Sequence, residues 1–166
     1  MFSKTGQLCG NEMALFTIGY EGADVPDFIS ALRCSGVQTL IDIRDLPLSR
    51  RAGFSKTPLR AHLEDAGIAY LHMKALGDPR EGRLAARSGN WVDFRRIFTR
   101  HISSATALEA IRSIVDMSSL QNVCLMCFER DHLLCHRSIV CEEVLKIKPS
   151  SIKNIGVSKG FSTKAA

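Results

Sequence analysis

Four short apolar runs, spaced so that a helix fits between successive ones, constrain this chain more than any other feature. They are Leu15 to Tyr20, Val37 to Ile43, Ile68 to Met73 and Asn122 to Phe128. The second, Val-Gln-Thr-Leu-Ile-Asp-Ile, is nearly continuous, as suits a strand covered on both faces. Helix signals fill the gaps. Asp24 and Pro26 mark a helix start, and Phe28, Ile29 and Leu32 follow at helical spacing. Gly36 then fits a left-handed stop. Pro58 to Ala66 reads as a short helix ended by Gly67. Trp91 to Met117 holds one or two helices, with Trp91 packed under its own, and Cys135 to Lys146 forms the last. The stretches Arg44 to Thr57 and Lys74 to Asn90 read as long loops, and Ser151 to Val157 is a weak fifth strand.

Alternation of this kind predicts parallel pairing through right-handed crossovers. The expected fold class is α/β: a single three-layer domain around a mostly parallel sheet of four to five strands, Rossmann-like. The expected organisation is a loose leader over 1–14, the domain over 15–157 and a basic tail over 158–166.

Length and composition agree with one domain. The chain has 166 residues, and its 45% hydrophobic content supports a real core. No apolar run approaches the roughly 18 residues of a membrane span, and no signal peptide is visible. The six cysteines, in a core-forming chain of this size, fit a reducing cytoplasm better than a disulfide framework. Most of them are expected to be small buried hydrophobes. Lys and Arg total 22 against 17 acids, a net charge of +5. That excess permits an anionic small molecule or nucleic acid as partner without requiring one. Five lysines and no acid fall between Lys146 and Lys164, so part of it belongs to the tail.

In open parallel sheets, ligands bind outside the carboxyl ends of the strands. Here those ends are Gly19-Tyr20-Glu21, Asp42-Ile43-Arg44, Leu71-His72 and Cys127-Phe128-Glu129, all polar or reactive. The densest group is Cys127, Glu129, Asp131, His132, Cys135, His136 and Arg137, which leaves a strand and enters a helix. A helix N-terminus favours anions and lowers the pKa of a thiol placed on it. Three readings stand side by side. Cys127, His132, Cys135 and His136 are all metal-ligand types, although their spacing matches no standard finger and no residue is assigned to a metal. Cys135 beside His136 suits an activated nucleophile. Alternatively, Cys135 is a buried helix-start residue with His136 as a hydrogen-bonded orienter.

The second group is Asp42 and Arg44, two apart on one strand face, followed by Pro47, Ser49, Arg50, Arg51 and Phe54. Arg44 and Arg50 offer forks for phosphate or carboxylate, while an Asp42–Arg44 ion pair would instead pin the following loop. Tyr20, in Thr17-Ile18-Gly19-Tyr20-Glu21-Gly22, either stacks on a ligand ring or caps the core edge. The glycines there do not make a dinucleotide fingerprint. His72 is a candidate acid–base group or a satisfied half-buried histidine. Neither a nucleophile elbow nor a phosphate-cradling Gly-Lys loop is present.

Together these motifs resemble the DUF488 family of uncharacterised prokaryotic proteins. The resemblance rests on Thr17-Ile-Gly-Tyr20, Leu40-Ile-Asp-Ile-Arg44, Pro47, Ser49, Arg50 and Phe54. It continues through Gly67-Ile68-Ala69-Tyr70, Leu76-Gly77, Cys127-Phe-Glu129 and Cys135-His136-Arg137. It implies a single α/β domain and a shared cluster of Arg44, Glu129, Cys135, His136 and Arg137, and it supplies no reaction or cofactor.

The expected function is an enzyme acting on a phosphate-bearing ligand, a nucleotide or nucleic acid. Glu129, Cys135 and His136 are the catalytic candidates; Tyr20, Asp42, Arg44, Arg50 and Arg137 are the ligand-binding ones. The alternatives are a non-catalytic nucleic-acid binder or regulator and a metal- or redox-sensing domain using Cys127, Cys135 and His136. No cofactor or oligomeric state follows from the residues.

Overall fold

The structure, a computed structural model, describes residues 14–164. The expected leader therefore lies outside the described residues except for Ala14, as does Cys9. Among the described residues, five strands form one parallel sheet: β1 (Leu15–Gly19), β2 (Thr39–Asp42), β3 (Ala69–His72), β4 (Val123–Cys127) and β5 (Ile152–Ile155). Their order is β3-β2-β4-β1-β5. The weakly signalled fifth strand is present, at an edge beside β1.

Seven helices accompany the sheet among the described residues: α1 (Val25–Cys34), α2 (Lys56–Asp65), α3 (Arg80–Arg87), α4 (Trp91–Ile102), α5 (Ala105–Leu120), α6 (His136–Ile147) and α7 (Phe161–Lys164). Local chemistry sets their ends. Asp24 caps α1 by accepting from Asp27 N at 2.9 Å, with Pro26 in the first turn. Gly36 and Gly67 follow α1 and α2 in the left-handed region, at φ 69° and 74°. Residues 91–117 resolve into two helices, since Ser104 caps a new start at α5.

The loop expected over Lys74 to Asn90 is corrected. It holds a 3-10 turn, Lys74–Leu76, and the two-turn helix α3. Pro79, Gly82 and Gly89 read as loop punctuation, but Pro79 caps α3 and Gly89 follows it at φ 73°. Gly82 stays inside the helix because the Asp78 carboxyl occupies the space beside it; a Cβ there would lie 2.1 Å from Asp78 Oδ1. Trp91 is also corrected. It stands at the exposed start of α4, 42% accessible, edge-on to Phe94 at 5.8 Å between centroids.

Alternating strand residues face two cores. Phe16, Ile18, Leu40, Cys124 and Met126 meet α1 and α2 through Phe28, Leu32, Leu59 and Leu63. Leu15, Ile41, Val123, Leu125 and Cys127 meet α4, α5 and α6 through Phe98, Ile111 and Val140. Each such large side chain contributes about 1.5–3 kcal/mol by leaving water. The result is a three-layer α/β fold. Among the described residues no helix is long and apolar enough to cross a membrane.

The connections place the site. The chain leaves β1 through α1 onto one face of the sheet, and it leaves the adjacent β4 through α6 onto the other. Neighbouring strands whose connections diverge in this way open a crevice at their carboxyl ends.

Candidate functional site

A cleft of about 1070 Å³ occupies that crevice. Tyr20, Glu21 and Gly22 follow β1 into it, Arg44 to Arg51 follow β2, and Phe128 and Glu129 follow β4. The start of α6 contributes His136, while the turn before α3 and α3 itself bring Asp78, Arg83 and Arg87.

Asp42 and Arg44 form a buried ion pair. Arg44 Nε donates to Asp42 Oδ1 at 2.8 Å, and Nη2 donates to Oδ2 at 2.6 Å. Nη1 donates to Tyr20 Oη at 3.0 Å and to the Phe54 carbonyl at 2.9 Å. Tyr70 also donates to Asp42 Oδ2, at 2.7 Å. Four of the five side-chain N–H groups of Arg44 are thus engaged within the protein. Burial disfavours its charge, but Asp42 more than compensates and holds the guanidinium above its usual pKa. Asp42 is fully buried and does not line the cleft. This is the loop-pinning role, and removing either partner would cost about 3–5 kcal/mol by stranding the other.

Tyr20 caps the core edge. Its ring stacks on Phe54 at 4.6 Å and meets Phe128 edge-on at 5.3 Å, leaving the residue 3% exposed. His72 is a satisfied half-buried histidine, with Nε2 2.8 Å from the Arg44 carbonyl.

The β4–α6 connection carries the reactive groups. Cys135 is the N-cap of α6, its Sγ accepting from Arg137 N at 3.3 Å. His136 Nδ1 lies 3.9 Å from that sulfur, and its Nε2 lies 3.0 Å from the Ile43 carbonyl. Cys127 Sγ donates to Glu129 Oε2 at 3.1 Å. Burial alone would raise the Cys135 thiol, but the hydrogen bond from Cys127 and the charge of His136 outweigh it and lower the pKa. His136 is raised in turn, the nearby Cys135 overcoming the burial that opposes its charge. Burial raises Cys127 well above an ordinary thiol. Cys135 is 2% exposed and sits behind the cleft wall, whereas Glu129 and His136 line it.

Arg137 departs from the expected anion clamp. As the second residue of α6 it turns inward, 1% exposed, with Nη2 donating to the Glu129 carbonyl at 2.9 Å. Its Nε and Nη1 have no partner among the described residues. Of the four metal-ligand types noted in the sequence, His132 stands apart, with Nδ1 4.0 Å from Asp131. Donor atoms of Cys127, Glu129 and Cys135 lie within 4.8 Å of one another.

The accessible cations are others. Arg50 lines the cleft, joined by Arg51, Arg83 and Arg87. Arg83 pairs with Asp45 at 2.8 Å, and Arg51 donates to the Ala23 carbonyl. Among the described residues, no hydrogen bond or ion pair engages the side chain of Arg50 or Arg87. Asp78 is a further functional candidate. The residue is 8% exposed, its Oδ1 is buried without a partner among the described residues, and burial raises its pKa to about 6 against the pull of His136 and Arg83. Arg87 was hidden because the helix that carries it was read as loop, and Asp78, in the turn just before that helix, stood out only as part of the loop Leu76-Gly77-Asp78-Pro79-Arg80.

A family model described as "Domain of unknown function DUF488" matches residues 24–144. No curated protein and no solved structure matches the chain.

Proposed function

For a chain that belongs to the DUF488 family, whose name assigns no reaction, we propose an enzyme that acts on a phosphate-bearing ligand, a nucleotide or a nucleic-acid segment, held in the cleft between β1, β2 and β4. The observation that carries this reading is the pairing of a cationic rim with a proton-transferring floor in one cavity. Arg50 and Arg87 have uncommitted guanidinium groups at the rim. Such forks bind phosphate bidentately, and a nearby helix start adds free N–H groups. Leu46, Leu48 and Phe128 add exposed apolar surface on which a base or sugar can rest.

The floor supplies general acid–base chemistry. Glu129, His136 and Asp78 all reach the cavity, and such groups move protons at a reacting centre. Cys135 acts from behind them in this reading, as the negative partner of His136. Arg44 and Arg137 hold the walls in place and do not clamp the ligand.

A thermal-shift screen at low salt tests the reading, using nucleotides, sugar phosphates and short oligonucleotides with the Arg50→Ala/Arg87→Ala double variant as control. A ligand at 100 times its dissociation constant should raise the melting point by roughly 5–10 °C. The double variant should lose that rise while melting normally by itself. If no phosphate compound shifts the wild type, or the variant responds equally, the reading fails. A shift by oligonucleotides without turnover would favour a binder over an enzyme.

A further inference from the structure

We propose that Cys127, Glu129 and Cys135 form a three-ligand site for a thiophilic divalent cation of the zinc class, with its fourth position open toward the cleft. This goes beyond the phosphate-binding reading and does not depend on it; with the metal bound, proton transfer in the cleft falls to His136 and Asp78.

The first support is geometric. The three donor atoms lie within 4.8 Å of one another, and Cys127 Sγ is 3.1 Å from Glu129 Oε2. Tetrahedral zinc, with bonds near 2.3 Å to sulfur and 2.0–2.2 Å to oxygen, needs sulfurs about 3.8 Å apart and sulfur–oxygen pairs about 3.5 Å apart. Changes of no more than about 1.3 Å in any donor–donor distance reach those values. Cys127 ends a central strand and Cys135 begins a helix, so both sulfurs are carried by regular elements. Glu129 comes from the loop between them and is the one ligand that lines the cleft. The Glu129 side of the site thus faces the cavity, where a fourth position would be open, as in catalytic rather than structural zinc sites.

The surroundings supply the second support. A backbone carbonyl only accepts, so His136 Nε2, 3.0 Å from Ile43 O, carries hydrogen. The other ring nitrogen, Nδ1, lies 3.9 Å from Cys135 Sγ. Histidines at metal sites are commonly held in this way, by a backbone carbonyl on one ring nitrogen, and here the other nitrogen faces a ligand sulfur. Charge closes as well. Two thiolates, one carboxylate and a divalent cation sum to −1. Arg137, with Nε and Nη1 unpartnered and the side chain 1% exposed, is a buried +1 whose field reaches Cys127. A buried cation of this kind requires a countercharge. The backbone N–H of Arg137 already donates to the Cys135 sulfur at 3.3 Å, as N–H groups do to metal-bound thiolates.

Binding displaces the Cys127 thiol proton and the proton shared by Cys135 and His136, releasing both to solvent with no change of oxidation state. The test is a cobalt(II) titration of the full chain, freed of metal by chelation and kept reduced with a phosphine. One equivalent should produce an intense near-ultraviolet sulfur-to-cobalt charge-transfer band and the visible bands of four-coordinate cobalt, both abolished by one equivalent of zinc. Cys127→Ser and Glu129→Gln should each weaken zinc binding by about 100-fold or more, since even outer-shell partners cost 10–100-fold. Cys34→Ser, at an exposed cysteine remote from the cluster, should change nothing. Glu129→Gln keeps the test meaningful if Cys127→Ser does not fold. The proposal is overturned by folded wild type without the charge-transfer band, by cobalt bands lacking thiolate character, or by unchanged affinity in Glu129→Gln.

Discussion

Asp78 carries an unpartnered oxygen at the cleft floor, and burial holds its carboxyl near pH 6. A carboxyl raised in the folded state contributes stability that is complete below the unfolded value near 4 and is lost as pH rises through about 6. Above that, the fold carries a buried anion that Asp78→Asn lacks. The stability advantage of Asp78→Asn over wild type should therefore grow between pH 4 and 6, by about 3 kcal/mol at most, and stay level above. Denaturant unfolding across that range measures it, and parallel pH curves for the two proteins would contradict it. Residues at this scale were unequally legible. Cys135, His136 and Glu129 stand together in sequence where a strand runs into a helix, so their meeting could be read directly. The inward turn of Arg137 could not, because it depends on the rotational phase of α6 against the sheet. The commitment of Arg44 to Asp42, Tyr20 and Phe54 was visible only in part, as two charges on one strand face.

Helices and strands position these groups by how closely their backbones approach. The end of β1 lies against the chain leaving β4, with Tyr20 N donating to the Cys127 carbonyl at 3.4 Å and Glu21 N to the Phe128 carbonyl at 2.9 Å. Gly19 permits this, since a Cβ there would sit 1.8 Å from the Glu129 carbonyl oxygen and 3.0 Å from Arg130 Cα. That carbonyl also accepts from Arg137. Gly19→Ala should therefore separate β1 from the site loop, costing about 1–3 kcal/mol as an overpacking substitution and weakening cobalt binding with it. Gly156→Ala, where an added Cβ meets nothing within 4 Å, should stay within about 0.5 kcal/mol of wild type. Equal losses in the two variants would show that the β1–β4 approach does not limit the site. Strands and long helices were legible here because their apolar spacing is strong. The exception is α3, in which Gly82 answers to the Asp78 carboxyl and not to helix propensity. Its available signals were Ala85-Ala86 between charges at helical spacing and Gly89 just beyond.

Across the whole molecule, residues far apart in sequence close the fold. Asp27 in α1 accepts from Gly160 N and Ser162 N, each at 2.7 Å, and so holds the α7 segment against the first helix. The Ser162 N–H bond is the main cause of its lowered pKa. A carboxyl lowered in the folded state contributes stability above the usual carboxylate range and loses it as pH falls through the depressed value. The Gly160 and Ser162 amide proton shifts should hold steady at neutral pH and move only well into acid. In Asp27→Asn they should stand displaced from the start. Amide shifts that ignore both acid and the substitution would detach the tail from Asp27. At this scale sequence conveyed the fold class and the parallel sheet, but not the strand order, because insertion of β4 between β1 and β2 is decided by packing alone.

That insertion has a consequence for how the molecule is made. The two strands synthesised first never touch; the gap between them is filled by a strand that begins 81 residues after Asp42 ends β2, counting from 42 to 123. At about 5–20 residues per second, a growing chain spends roughly 4–16 s with a sheet that lacks its middle. Both flanking strands then have unpaired edges, which are the parts of a chain most prone to join the wrong neighbour. The reactive connection follows immediately after the missing strand, so no shorter nascent chain presents an assembled cleft. Its chemistry appears only when the sheet has been closed from the centre.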